Sequence, residues 1–180
     1  MSCCGKCNIP EFKFALRKDL SNNPEFIPAR ATETDTGWDV RCAEHSGLVV
    51  KPFQYVKIRL GFRVFSPEGW WLELRPRSSS HAKKHLNCLY GVIDSEYENE
   101  LILSAQYLPP LDCLEDHSYG FLGFDNDEPR LNINFGDKIG QIIPVKRKVM
   151  TVEEVTNEEF DKLCAERGGK RGSGGFGSTG

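Results

Sequence analysis

Tyr55-Val-Lys-Ile-Arg-Leu-Gly-Phe-Arg-Val-Phe65 is a run of β-branched and aromatic residues cut by a glycine. Such residues fit a pleated, half-buried surface, so the run reads as strand. Upstream, Gly47-Leu-Val-Val-Lys-Pro is a similar short run, and Glu11 to Leu16 alternates apolar and polar residues. Downstream, Trp70-Trp-Leu-Glu-Leu-Arg, Leu101-Ile-Leu-Ser-Ala-Gln-Tyr and Leu131-Asn-Ile-Asn-Phe continue the pattern. Many short strands with Gly and Pro between them predict an all-β fold, an antiparallel sandwich or barrel. Only Val152 to Glu166 reads as helix. Thr156 is placed to cap it with Glu159 three residues on, and Phe160 and Leu163 form one face. No internal repeat is present.

The 180 residues fit one domain, and 39% hydrophobic with 11% aromatic residues suffice for a packed core. A net charge of −3 gives no electrostatic case for nucleic-acid or membrane-surface binding. An anionic ligand therefore needs a local cluster of cations. No apolar run reaches the roughly 20 residues of a membrane helix. Met1 to Lys6 lacks the apolar core of a signal peptide, so the expected location is cytoplasmic, or nuclear or host cytoplasm for a viral chain. Seven cysteines, an odd count of which four are scattered, predict mostly free thiols. Cys4-Gly-Lys-Cys7 is a lone C-x-x-C with no second pair at zinc spacing, so a frayed 1–10 terminus is the better reading and a structural metal the lesser one.

Two segments stand apart from the strands. Leu108 to Pro129 carries Pro109, Pro110, Gly120, Gly123 and the acidic Asp125, Asp127 and Glu128, with Tyr119, Phe121, Leu122 and Phe124 among them. It is far longer than a usual hairpin connection of about 2–5 residues. It reads either as an Ω-loop packed on itself or as a lid or seat for a protein partner. Arg171-Gly-Ser-Gly-Gly-Phe-Gly-Ser-Thr-Gly180 sets one guanidinium and one ring on a glycine-rich backbone. It reads either as a solvated linker or as a flexible arm. As an arm, Phe176 can stack on a base and Arg171 can pair with a phosphate.

Three internal segments carry chemistry. In Gly91-Val-Ile-Asp94-Ser-Glu-Tyr97, a carboxylate follows an apolar pair and precedes a tyrosine by three. Asp94 can act as a general base and Tyr97 can offer a flat face to a sugar; from spacing alone, a hairpin with a capping Asp is the better fit. Arg75-Pro-Arg77-Ser78-Ser-Ser80, with Lys83 and Lys84, is the densest cationic patch. Arginine forks suit phosphate oxygens and serine hydroxyls can donate to a bridging oxygen; a solvated turn is the plainer alternative. Gly136-Asp-Lys-Ile-Gly-Gln141 reads as a turn entering a strand. Lys170 makes no P-loop, because Arg171 follows where Ser or Thr is required.

Taken in order, these segments resemble the five motifs of the trimeric dUTPase family. The first is Ala31-Thr-Glu-Thr-Asp-Thr-Gly37-Trp-Asp39-Val, and the second is Pro76-Arg77-Ser78-Ser79. The third is Gly91 to Tyr97, the fourth Gly136 to Gln141, and the fifth the Arg171–Gly180 tail. The resemblance runs from about Phe12 to Gly180. It implies a jelly-roll-like β-barrel over 11–166, with 108–129 inserted, and a mobile arm over 167–180. It further implies a homotrimer that exchanges these arms and shares three sites. The implied reaction is hydrolysis of dUTP to dUMP and pyrophosphate, which limits uracil in DNA and supplies dUMP for dTMP synthesis.

In that reading Asp94 activates the attacking water and Ser78 bonds the oxygen between the α- and β-phosphorus. Arg77 and Gln141 contact phosphates, with Ser79 beside them. Gly91, Val92 and Ile93 line the base, read through backbone atoms, and Tyr97 packs under the deoxyribose. From the arm, Phe176 and Gly177 cover the uracil and Arg171 holds the γ-phosphate. Mg2+ is implied on the phosphates, with no direct protein ligand.

Departures from the family pattern are Ser79 and Ser80 for Gly and an aliphatic, Glu96 for Asp, Asn99 for Gly, Lys138 for Arg and Gly140 for Ala. They leave dCTP deamination, a modified pyrimidine triphosphate as substrate, and an added binding role at 108–129 as alternatives.

Overall fold

The computed structural model describes residues 9–110 and 130–168. It comprises two compact units, Met1–Arg147 and Lys148–Gly180. The expectations placed on Cys4 and Cys7, on 111–129, and on Arg171, Phe176 and Gly177 lie outside the described residues.

Among the described residues, the first unit contains eleven short strands. In chain order they are β1 (Lys13–Leu16), β2 (Trp38–Arg41), β3 (Leu48–Val50), β4 (Tyr55–Arg59), β5 (Phe62–Phe65) and β6 (Trp70–Pro76). After them come β7 (Leu86–Cys88), β8 (Gly91–Ile93), β9 (Ile102–Tyr107), β10 (Leu131–Ile133) and β11 (Lys138–Lys146). All pairings are antiparallel: β1 with β5, β3 with β10, β4 with β9 and β7, and a four-stranded sheet in the order β2-β11-β6-β8. A single-turn helix, α1 (Ser78–Ala82), follows β6.

The Tyr55–Phe65 run becomes two strands in different sheets. Val56 and Ile58 point inward from β4, and Phe62 and Val64 from β5. Gly61 between them has φ +78°, a left-handed conformation, and an added Cβ would lie 2.3 Å from Leu20 and 2.7 Å from Ala43. Only glycine meets both demands. The inward residues of every sheet converge on one core that includes Val40, Ile58, Phe62, Leu72, Leu74, Leu103, Ile139 and Ile142. Leu20, Phe26 and Ala43 form a small satellite. The β1, β3, β6, β9 and β10 runs appear where their patterns predict. The sequence reading does not anticipate α1, because three consecutive serines read as turn.

In the second unit, helix α2 (Asn157–Arg167) starts later than the predicted Val152. Thr156 sets the start: its hydroxyl accepts the Glu159 N–H while the Glu159 carboxylate accepts the Thr156 N–H, a full capping box. Gly168, at φ +64°, ends it. Phe160 and Leu163 share a face as expected, and both are exposed.

Candidate active site

The outward face of the β2-β11-β6-β8 sheet gathers the polar residues of three motifs. Register sets Gln141 of β11 directly opposite Asp39 of β2 and Arg75 of β6. Asp39 is the electrostatic centre of this row. One carboxylate oxygen lies 3.0 Å from Arg77 Nε and the other 2.9 Å from Lys138 Nζ. Because the pair engages Arg77 through Nε, its two terminal nitrogens are left to face a ligand. The trio carries one net positive charge, which suits an anion.

Arg77 occupies the N-cap position of α1 in an extended conformation. Ser78, the first helical residue, is exposed, and Ser79 is half-buried. Ser80 is buried, and its hydroxyl donates to the Ile139 carbonyl at 2.6 Å. That bond explains how a polar residue sits where an aliphatic is usual: its hydroxyl is satisfied. Gln141 donates to the Pro76 carbonyl at 3.4 Å. Gly37 lies so close to the Gln141 amide that any side chain there would overlap it. Arg75 pairs with Glu73 at 2.6 Å and lies over the Tyr90 ring at 5.2 Å.

Gly91, Val92 and Ile93 form β8, paired to Leu74, Glu73 and Leu72 of β6. The chain then turns at Asp94, where the Tyr97 N–H donates to the Asp94 carbonyl at 3.1 Å. The Asp94 side chain is exposed and takes no hydrogen bond or ion pair from the described residues, so it caps nothing there. It lines a cleft of about 440 Å³ with Ser95, Glu96, Tyr97 and Arg147.

The structure thus brings Arg77, Ser78, Ser79 and Gln141 together and Asp94 and Tyr97 together, but holds the two groups apart. Arg77 follows the Pro76 end of β6, and the register sets Asp94 across from Trp71, near its Trp70 end. At about 3.3 Å per residue, the ends of this strand are roughly 20 Å apart. One chain therefore presents the sequence-predicted residues as two separate groups, two candidate half-sites.

Sequence reading missed the roles of Asp39, Lys138, Gly37, Arg75 and Tyr90. Asp39 and Gly37 stand inside the first motif, but nothing in their spacing names partners so far along the chain. Among the described residues, no group of three or more His, Cys, Asp or Glu is placed to hold a metal. Cys42, Cys88 and Cys164 are free thiols, and burial pushes Cys88 up to about 11.

Comparison with known proteins gives the family. No family model matches the chain. It is 30% identical over 166 residues to the deoxyuridine 5'-triphosphate nucleotidohydrolase of Wolbachia pipientis wMel, covering 91% of this chain and 93% of that one. The chain belongs to the dUTPase family. Among solved structures it resembles the dUTPase of Staphylococcus bacteriophage 80alpha with dUpNHpp. The TM-score is 0.69 at 24% identity, over 94% of this chain and 98% of that one. It also resembles a mutant dUTPase from phage phi11 of S. aureus that coordinates a structural Mg(II) ion. That match has a TM-score of 0.63 at 25% identity, over 81% and 96% of the two chains. The fold is the all-β fold of dUTPases. Among the described residues no helix is long and apolar enough to cross a membrane.

Proposed function

We propose that the protein hydrolyses dUTP to dUMP and pyrophosphate. The observation that carries this reading is the Asp39-held pair of Arg77 and Lys138 beside Ser78 and Gln141, in a chain of this family. Phosphoryl chemistry needs little covalent help from protein, so positioning and charge neutralisation do most of the work. Asp94 takes a proton from a water whose oxygen bonds to the α-phosphorus. The bond to the α–β bridging oxygen breaks, Ser78 donates a hydrogen bond to that oxygen, and pyrophosphate leaves with the bonding electron pair. Arg77 and Gln141, with Ser79, hold the phosphates. Gly91, Val92 and Ile93 read the base, and Tyr97 packs against the deoxyribose.

The proposed molecule is a homotrimer of jelly-roll-like barrels over 11–166, without nucleic-acid or membrane partners and placed in the cytoplasm. The roughly 20 Å between the half-sites supports it, since an Asp94 from one subunit can then serve the Arg77 of another. The 167–180 arm completes the site through Arg171, Phe176 and Gly177. Mg2+ belongs on the triphosphate. Asp39, the carboxylate nearest Arg77 and Lys138, has each oxygen taken by a cation, so phosphates and water remain as ligands. Bound there, the metal would neutralise phosphate charge and polarise its oxygens.

The test is a panel of dUTP, dCTP, dTTP and UTP with pyrophosphate and ammonia readouts. Pyrophosphate from dUTP alone is expected, lost in Asp94→Asn. Ammonia from dCTP, or a faster reaction with another base, overturns the reading.

A further inference from the structure

We propose that Glu100 and Arg17 are positioning residues that set the protein's choice of 2′-deoxy sugar by bracing the turn that carries Tyr97. The inference rests on the role proposed for Tyr97 and names residues outside every motif set out above.

The turn has little else to hold it. Residues 94–99 include no buried side chain. One end is fixed by the pairing of Ile93 with Leu72, and the other by buried Leu101, whose N–H donates to the Phe62 carbonyl at 3.0 Å. Between them, the Tyr97 hydroxyl donates to the Glu100 carbonyl at 3.3 Å. The orientation of the ring is therefore tied to the backbone of Glu100.

Glu100 is in turn held from several sides. One carboxylate oxygen accepts from Arg17 Nη1 at 3.0 Å and from the Gly61 N–H at 2.9 Å. The other lies 3.7 Å from Arg59 Nη1. The Arg17 guanidinium is itself immobilised: Nε and Nη2 bond Asp19 at 2.7 and 3.0 Å, and Nη2 also bonds the Ala43 carbonyl at 2.7 Å. Both side chains are largely shielded, at 25% and 20% exposure, so the charge-assisted bonds are only partly screened. Glu100 thus ties the loose turn to the β4–β5 corner and, through Arg17, to the segment after β1. A ring packed against C2′ rejects a hydroxyl only if it cannot retreat, and this brace is what prevents retreat.

The experiment compares wild type with Glu100→Gln, Arg17→Met, the double variant and Arg17→Lys. kcat and KM are measured on dUTP and UTP, with hydrogen exchange of the unliganded proteins alongside. Glu100→Gln keeps an oxygen for the Gly61 N–H, which favours folding. The expected result is a drop of about tenfold in the dUTP-over-UTP ratio of kcat/KM in either single variant, since small misplacements cost rate steeply. The double variant should be no worse than the singles, because both act through one contact. Arg17→Lys should recover part of the ratio. Exchange should quicken at 95–99 and stay unchanged in β9. A wild-type ratio in the Glu100→Gln enzyme overturns the proposal, whatever its melting temperature. Should wild type fail to hydrolyse dUTP, the proposed function falls instead. The brace is then decided by exchange alone: faster exchange at 95–99 supports it and unchanged exchange overturns it.

Discussion

Asp39 illustrates how much one carboxylate can organise. Its two oxygens fix Arg77 and Lys138, which would otherwise repel each other across the outward sheet face. Removing the charge leaves both cations in place with nothing between them. Asp39→Asn is therefore expected to raise KM for dUTP about tenfold, while kcat falls less, because ligand-holding groups lose their alignment. A KM within twofold of wild type would remove Asp39 from the phosphate site. Gly37 makes a second test at this scale. A methyl group there would drive the Gln141 amide out of its place, so Gly37→Ala should mimic Gln141→Ala in steady-state kinetics. If Gly37→Ala instead matches wild type, Gln141 is not held by this close approach. Neither role was legible from spacing. Motif residues declare themselves by type, but an ion pair between distant strands is created by register, which only the folded sheet supplies.

Elements were more legible than contacts. The β-branched and aromatic residues of Tyr55–Phe65 made the run readable as strand, and it folds as two strands, Tyr55–Arg59 and Phe62–Phe65. Residue type did not tell that they belong to different sheets, because that depends on Gly61 turning with φ +78° against Leu20 and Ala43. Gly61→Ala should therefore destabilise the first unit by more than about 2 kcal/mol, combining a left-handed strain with overlap in a packed satellite core. Urea unfolding measures it, and a loss below half that figure would mean the corner relaxes freely. Helix α2 was legible through its capping residues, and its start was misplaced because Val152 to Val155 looks helical without a cap to stop it.

The turn between β10 and β11 adds a pH dependence. Burial pushes the Asp137 carboxyl up, but the Lys84 ammonium at 2.8 Å and the Asn134 N–H at 3.1 Å outweigh it and hold its pKa below the ordinary value. Folded Asp137 thus binds its proton less readily than unfolded Asp137. Its contribution is complete above about pH 4, the ordinary carboxylate range, and is lost as pH falls through the lower folded value. Asp137→Asn should lower stability at neutral pH and flatten the acid limb of the stability curve. An acid limb unchanged in that variant would place the dependence on another carboxylate.

At the scale of the whole molecule, the five motifs pointed to a family before any contact was known, yet one chain holds the proposed site residues in two separate groups. Asp94 and Arg77 stand at opposite ends of β6, roughly 20 Å apart at strand spacing. No side-chain motion closes that distance around one α-phosphorus. A second copy can, since a symmetric ring sets the same strand end of each subunit against the opposite end of its neighbour. This makes a sharp prediction about mixtures. Asp94→Asn chains and Arg77→Ala chains should each be nearly inactive alone. After mild unfolding and joint refolding in equal amounts, a site works when an intact Asp94 from one parent meets an intact Arg77 from the other. Random assembly makes that combination at roughly a quarter of sites, so about a quarter of wild-type turnover should return. The same two proteins mixed without exchange provide the blank. Activity that stays at the level of the blank, with trimers confirmed by light scattering, would mean each site is built within one chain and the separation seen along β6 closes in some other way.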